Sequence, residues 1–257
     1  AGMADAFLAK YSATGVHIWS KRLGSTGNDV GLAVGTDPSG NVVVGGTFSG
    51  TVDFGGGPLT SAGMRDLFLA KYDAAGGFLW AQRFGGTGDD VLNDLAVDSM
   101  GDVAIAGKFQ TTISLGGVIL TSAGGDDAVA AKFSGSTGGH VWSKRFGAAS
   151  GDIATGVAVD GANNVVVAGY FSGAVDFGGG TLSSLGVDVF VAKYAPSGAH
   201  LSSRKFGGAD TQICDGVGAA ANGAITLAGF FMGTIDFGTG LKTAAGGFDA
   251  FLAGVGP

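Results

Sequence analysis

Short apolar runs, mostly alternating in polarity, are separated along the chain by clusters of Gly, Asn, Asp and Ser. The opening part holds four of them: Asp5–Tyr11, Val16–Leu23, Val30–Thr36 and Val42–Phe48. Runs rich in Val, Ile, Phe and Trp between such clusters predict β-strands, and almost no helix is read. Asp37-Pro38-Ser39-Gly40-Asn41 predicts a hairpin turn, because Pro presets φ and Gly takes the positive φ. The run Asn41-Val-Val-Val-Gly-Gly46 is apolar at successive positions, as in a strand covered on both faces.

The pattern repeats. The stretch Asp66–Arg83 recurs along the chain, and its opening Asp falls at Asp5, Asp66, Asp127, Asp188 and Asp249, each 61 residues after the last. A fixed period of this size signals a repeat architecture. The repeats are 5–65, 66–126, 127–187 and 188–248, with a closing strand at 249–254. Four-stranded units at this period predict a single all-β domain, a β-propeller of four blades of about 61 residues each. By analogy with propellers, Val30–Thr36 is innermost and Val16–Leu23 outermost. A long connection, Ser49 to Arg65, carries Val52-Asp53-Phe54; its counterparts are Val175-Asp176-Phe177 and Ile235-Asp236-Phe237, with Ile113-Ser114-Leu115 departing. It predicts an added hairpin. Five copies of the Asp-led strand leave one surplus in a ring of four. The expectation is that the termini meet in one blade, with Val16–Leu23 completing the last; a fragment of a larger propeller is the alternative. A closed ring leaves no long open edge and so predicts a monomer.

Composition narrows the function classes. The chain has 52 Gly in 257 residues, but aliphatic runs lie between the glycines, which argues for turns and bulges rather than disorder. A net charge of −7 argues against nucleic-acid or anionic-membrane partners and leaves room for cations or neutral ligands such as sugars. The single Cys214 excludes an internal disulfide. No apolar run approaches the ~20 residues of a membrane span. The opening Ala-Gly-Met-Ala-Asp5 reads like a joint between repeats, so a mature product or a fragment without its leader is expected.

Asp-x-Phe-x-Ala-Lys, Gly85-Gly-Thr-Gly88-Asp89-Asp90, Ala96-Val-Asp98-x-x-Gly101 and Asn164-Val-Val-Val-Ala-Gly169 resemble the bacterial β-propeller repeats called SBBP repeats. The resemblance covers nearly the whole chain. It implies a propeller and, because such repeats are similar to those of secreted and surface proteins of myxobacteria and relatives, an extracellular or cell-surface location. It brings no catalytic residues. This chain departs from the pattern in the longer Val-Asp-Phe connection and in Val43, Ala104, Val166 and Thr226, where an aromatic is common.

Strands alternate direction, so the outermost-to-innermost and Val-Asp-Phe connections emerge on one face, with Asp29, Asp53, Asp89, Asp90, Asp152, Asp176, Asp210 and Asp236. Long loops on a rigid scaffold make this the candidate binding face. Positions that differ between repeats single out residues within it. Leu32, Asn93, Thr155 and Asp215 are equivalent, as are Thr47, Lys108, Tyr170 and Phe230. Asp94 replaces the small Ala33, Gly156 and Gly216, and the second repeat gathers Asn93, Asp94, Lys108 and Gln110. Asp94 and Lys108 are expected to approach one another. The candidate ligand set is Asn93, Asp94, Lys108, Thr155, Tyr170, Asp215 and Phe230. If the chain is a lyase or hydrolase, Asp94, Lys108, Tyr170 and Asp215 carry the chemistry.

The Asp-rich loops invite a calcium reading at Asp29, Asp90 and Asp152, but each loop offers fewer than calcium's six to eight oxygens, and capping of local N–H groups is the favoured explanation. No other cofactor is indicated. His17, His140 and His200 fall on different blades and cannot share a metal. Trp19, Trp80 and Trp142, replaced once by Ser202, suit inter-blade packing or sugar stacking. Lys10, Lys71, Lys132 and Lys193 are expected to pair with repeat carboxylates or to be solvated, and Cys214 to be a small buried hydrophobe. The leading functional expectation is a secreted or surface-displayed module binding a glycan, small molecule or protein on the loop face. An enzyme at the channel mouth and a structural spacer are the alternatives.

Overall fold

A computed structural model describes residues 2–256 as an all-β chain. Strands β1 (Ala6–Tyr11) and β2 (His17–Leu23) pair with each other in a sheet of their own. The first complete unit holds β3 (Val30–Thr36) and β4 (Val42–Phe48), a small hairpin of β5 (Thr51–Asp53) and β6 (Pro58–Thr60), then β7 (Asp66–Tyr72) and β8 (Phe78–Phe84). The second repeats this with β9 (Val91–Val97), β10 (Val103–Phe109), hairpin β11 (Thr112–Ile113) and β12 (Leu120–Thr121), β13 (Asp127–Phe133) and β14 (His140–Phe146). In the third, the hairpin is continuous with its neighbours: β15 (Ile153–Val159), β16 (Val165–Asp176), β17 (Thr181–Tyr194) and β18 (His200–Phe206). The fourth has β19 (Gln212–Ala219), β20 (Ile225–Phe231), hairpin β21 (Thr234–Ile235) and β22 (Lys242–Thr243), and β23 (Asp249–Val255). Sheet orders are β3-β4-β7-β8, β9-β10-β13-β14, β15-β16-β17-β18 and β19-β20-β23, antiparallel throughout. These are propeller blades, and the added hairpin is present in each.

The inner strands pack in sequence, β3 on β9, β9 on β15 and β15 on β19. The expected seam is not formed. β2 pairs with β1 rather than with β23, whose outer edge carries no strand among the described residues. The physical reason is that β1 and β2 are held as a pair against the following blade: Lys10 Nζ donates to Gly40 O at 3.0 Å and Ala74 O at 3.1 Å, and Trp19 Nε1 to Ala74 O at 3.2 Å. Phe7 is accordingly 79% exposed, whereas its repeat equivalents Phe68 and Phe190 are fully buried. β23 thus keeps an open edge, and the closed ring that predicted a monomer is not formed among the described residues.

Strands β4, β7 and β13 are buried along their whole length, the apolar run of β4 by packing on both faces and the Asp and Lys of β7 and β13 by pairing. Between blades the core is aromatic: Phe146 stacks on Tyr194 of the next blade with centroids 5.8 Å apart. A β-bulge recurs where the inner strand meets the second, skipping Leu32, Asn93, Thr155 or Asp215. Opposite each bulge stands a glycine, Gly46, Gly107, Gly169 or Gly229. A Cβ there would lie 1.9, 2.2, 2.0 or 2.0 Å from the inner strand's carbonyl oxygen, which backbone cannot yield.

One polar device joins successive blades. Lys71 Nζ, buried on β7, pairs with Asp37 Oδ2 of its own blade at 2.8 Å and donates to Gly135 O of the next at 2.8 Å. Trp80 Nε1 donates to the same carbonyl at 3.1 Å. Burial works against the Asp37 carboxylate, but hydrogen bonds from Lys71 and Asn41 hold its pKa below the usual value. Lys132 pairs with Asp98 and Asp102, Lys193 with Asp160, and Trp142 donates to Pro196 O. Lys71, Lys132 and Lys193 are thus paired with carboxylates while Lys10 bonds backbone carbonyls, and the tryptophans belong to the inter-blade contact. Removing one partner of a buried pair strands the other charge. Lys71→Met is therefore expected to lower unfolding free energy by about 3 kcal/mol, read by chemical denaturation.

Candidate functional site

The bulge decides what the variable inner-strand residues do, because a bulged residue leaves the ladder and its side chain is re-aimed. Asn93 Nδ2 donates to Ala154 O of the next blade at 2.9 Å, and Thr155 Oγ1 to Cys214 O at 2.6 Å. Asp94, beside the bulge, accepts from Val157 N across the junction at 2.9 Å and from Leu95 N at 2.8 Å. Burial pushes the Asp94 carboxyl up despite these two bonds. Three predicted site residues therefore clasp neighbouring inner strands by bonds to their backbone.

Asp94 does not pair with Lys108. Lys108 Nζ reaches Asp126 Oδ2 at 2.6 Å, and Gln110 Nε2 donates to Asp126 Oδ1 at 2.8 Å. The reason is direction: Asp94 turns along the inner strands to Val157, whereas Lys108 leaves the far end of β10 beside the loop that enters β13. Tyr170 lies in the same field. Burial, then the Asp126 and Asp215 carboxylates, raise its hydroxyl above the ordinary value. Asp215 is exposed and Tyr170 half-buried. Phe230 meets Phe248 edge-on with centroids 5.1 Å apart. The structure thus brings Lys108, Tyr170 and Asp215 into one mouth region around Asp126, and removes Asp94, Asn93 and Thr155 from it.

Asp126 and its equivalents were missed. The residue before each repeated Asp is Ala4, Arg65, Asp126, Val187 or Phe248, and its character follows its neighbour's. Asp126 pairs with Lys108, Phe248 packs on Phe230, and Arg65 grips Asp89 through two bonds of 2.6 Å. Desolvation opposes the Asp89 carboxylate, but the Arg65 hydrogen bond outweighs it and lowers its pKa. The in-step variation of these positions was the available signal.

Asp29, Asp90 and Asp152 are buried and cap the loops before the inner strands. Asp29 Oδ2 accepts from Ser25 N at 2.7 Å, Asp90 Oδ2 from Gly86 N at 2.7 Å, and Asp152 from Ala148 N at 2.8 Å and Ser172 N at 2.9 Å. Asp53, Asp176 and Asp236 close the small hairpins onto Gly N–H groups. Asp210 stands against Gly233, where a Cβ would meet its carboxylate. His140 and His200 bond Ser143 and Ser203 of their own strands at 3.0 and 3.1 Å, on separate blades. Cys214 is fully buried, and burial raises its thiol to about 11, which keeps it a protonated hydrophobe at neutral pH. Cavities of about 450 Å³ beside Phe251 and Leu252 and about 280 Å³ beside Phe7 and Leu32 lie at exposed Leu252 and Phe7, whose repeat equivalents Leu69 and Phe68 are fully buried.

No protein-family model matches the chain. It is similar to the regulatory protein FlaEY of Caulobacter vibrioides, 30% identical over 172 residues that make up 64% of this chain and 18% of that protein. It is also similar to an uncharacterized WD repeat-containing protein of Acanthamoeba polyphaga mimivirus, 30% identical over 116 residues, 42% of this chain and 8% of that one. The chain spans less than a fifth of the length of either relative. These are distant homologies; with the repeated four-stranded sheets, the WD-repeat likeness agrees with propeller blades.

Asp94 and Lys108, expected as partners, should separate in experiment. Asp94→Ala leaves two backbone N–H groups without their partner and is expected to cost about 1–3 kcal/mol of stability. Lys108→Ala leaves Asp126 still bonded to Gln110 and half-solvated, and is expected to cost under about 1 kcal/mol. Urea denaturation of both variants measures the contrast.

Proposed function

We propose that the chain is a secreted or surface-displayed binding module that engages a glycan at the mouth of its loop face. The observation that carries the reading is the setting of the mouth residues. Tyr170 lies in the field of Asp126 and exposed Asp215, Lys108 and Gln110 hold Asp126, and the Phe230–Phe248 pair stands at the place equivalent to Lys108 two blades on. Aromatic faces next to planar carboxylate and amide groups suit a sugar ring with its apolar face and fringe of hydroxyls. The same residues vary between repeats while the blade framework does not, which fits a rigid scaffold carrying one individual site.

The enzyme reading loses ground because Asp94 and Lys108 are each committed to another partner. Regular sugar stacking by the tryptophans loses ground as well, since Trp80 is buried against the next blade. The SBBP-like motifs support display outside the cell, and likeness to a regulatory and a WD repeat-containing protein accords with an interaction role.

A glycan array probed with the full chain and with the Lys108→Ala, Tyr170→Ala, Asp215→Ala variant tests the proposal. Binding to a defined sugar class, lost in a variant that melts like the parent, is expected. Failure to bind any glycan, or binding that the substitutions leave intact, overturns it and favours the spacer reading.

A further inference from the structure

At the blade junctions before the last, the repeated Asp of one blade stands beside the capping carboxylate of the next. The pairs are Asp66 with Asp90 and Asp127 with Asp152. A Cβ on Gly85 would lie 2.7 Å from Asp66 Oδ1 and one on Gly147 2.7 Å from Asp127 Oδ1, and the N–H of the following residue, Gly86 or Ala148, is bonded to Asp90 or Asp152. The equivalent glycines of the flanking junctions touch both partners: a Cβ on Gly24 would lie 2.6 Å from Asp5 Oδ1 and 3.0 Å from Asp29 Oδ2, and one on Gly207 2.4 Å from both Asp188 Oδ1 and Gln212 Oε1. Asp66, Asp90 and Asp127 are fully buried and Asp152 nearly so. One oxygen of each of the first three, the Oδ1, has no donor in hydrogen-bonding geometry.

Charge is unbalanced there. Arg83 pairs with Asp66 and Arg145 with Asp127, one cation for two buried carboxylates. In the last junction Lys205 pairs with Asp188, and the second carboxylate is replaced by the neutral Gln212. Gln212 keeps the cap, accepting from Gly208 N at 3.2 Å, and also donates to Met232 O at 3.0 Å. A neutral amide is tolerated at this position, and a protonated carboxylic acid is its nearest chemical equivalent. Two carboxylates in one dry site cannot both ionise cheaply. Among the described residues, no third His, Cys, Asp or Glu joins either pair to build a cation's ligand set.

We propose that the Asp66–Asp90 and Asp127–Asp152 pairs each hold one proton between their facing oxygens in the folded chain, so that each junction is a proton-binding site joining two blades. The proton supplies the donor that Asp66 Oδ1 and Asp127 Oδ1 lack and brings the net charge of each site to zero. Burial first, then the Asp66 and Asp89 carboxylates, raise Asp90 to about 7, while the Gly86 and Gln110 N–H groups pull the other way. Burial and Asp127 raise Asp152 likewise, against Arg145. The direction of the pH dependence follows. Between the ordinary carboxylate range and about 7 the unfolded chain gives up the proton and the folded chain keeps it, so stability falls as pH rises and levels off above 7.

Thermal melting of the full chain at pH 5 and pH 8 tests this, with Asp90→Asn and Gln212→Glu as variants. Asp90→Asn carries its own donor, so at pH 8 it is expected to melt about 3–5 °C above the parent and to lose part of the parent's decline between the two pH values. Gln212→Glu installs the missing carboxylate and is expected to add a decline of similar size. It keeps the test decisive if Asp90→Asn does not fold. Asp90→Asn melting below the parent at both pH values would overturn the proposal. So would parent melting at pH 8 that rises with calcium chloride and falls with chelator while Asp90→Asn ignores both, which would place a cation between the pair.

Discussion

The blades depend on a contact made with the next blade at a backbone carbonyl, which a lysine and a tryptophan share at two junctions and Trp142 alone reaches at a third. Gly135 O receives both the Lys71 ammonium and the Trp80 indole N–H from the preceding blade. Lys71 is in turn neutralised by Asp37 at the inner hairpin of its own blade, so the contact spans the blade from its innermost turn to its outermost strand. Each sheet's aromatic residues are then covered by the neighbour that this contact holds in place, as with Phe146 against Tyr194. The fourth repeat shows the dependence by its loss: Ala220 stands at the Asp37 position and Gly254 at the Lys71 position, both partners gone together. Neither charge is left buried alone, which is the arrangement that buried-pair energetics favours.

A second constraint, the bulge, decides what is left for function. Each bulge presses the inner strand against the second closely enough to require glycine opposite it, and two of them redirect a variable side chain, Asn93 or Thr155, toward the next blade's backbone. Asn93, Thr155 and Asp94 are thereby spent on holding inner strands together. The variable residues beyond the bulge, at the exit of the second strand and before the third, remain at the mouth, where charge meets charge and ring meets ring.

The fold was largely legible because its signals are local. Alternation, turn residues and a 61-residue period place Val30–Thr36 and Val42–Phe48 at the same bounds as the strands observed. Lys71 pairing and Trp80 packing were also legible, since regularity between repeats points to the blade itself. The pairing of Asp94 was not, because a one-residue register slip is invisible in a period-2 pattern yet changes where a side chain goes. The seam was not legible either. It depended on whether β2 keeps its local partner β1, a contest between two equivalent strands that composition does not decide.

Hydrogen exchange on the parent and on Trp80→Phe tests the inter-blade contact most directly. If Gly135 O couples the blades, loss of the indole N–H speeds exchange in β7 and β8 and also across the junction, in the turn from Ser134 to Gly139 and the strands β13 and β14 that flank it. Faster exchange confined to β8 and its own sheet would contradict that coupling and leave the blades as independently stable units.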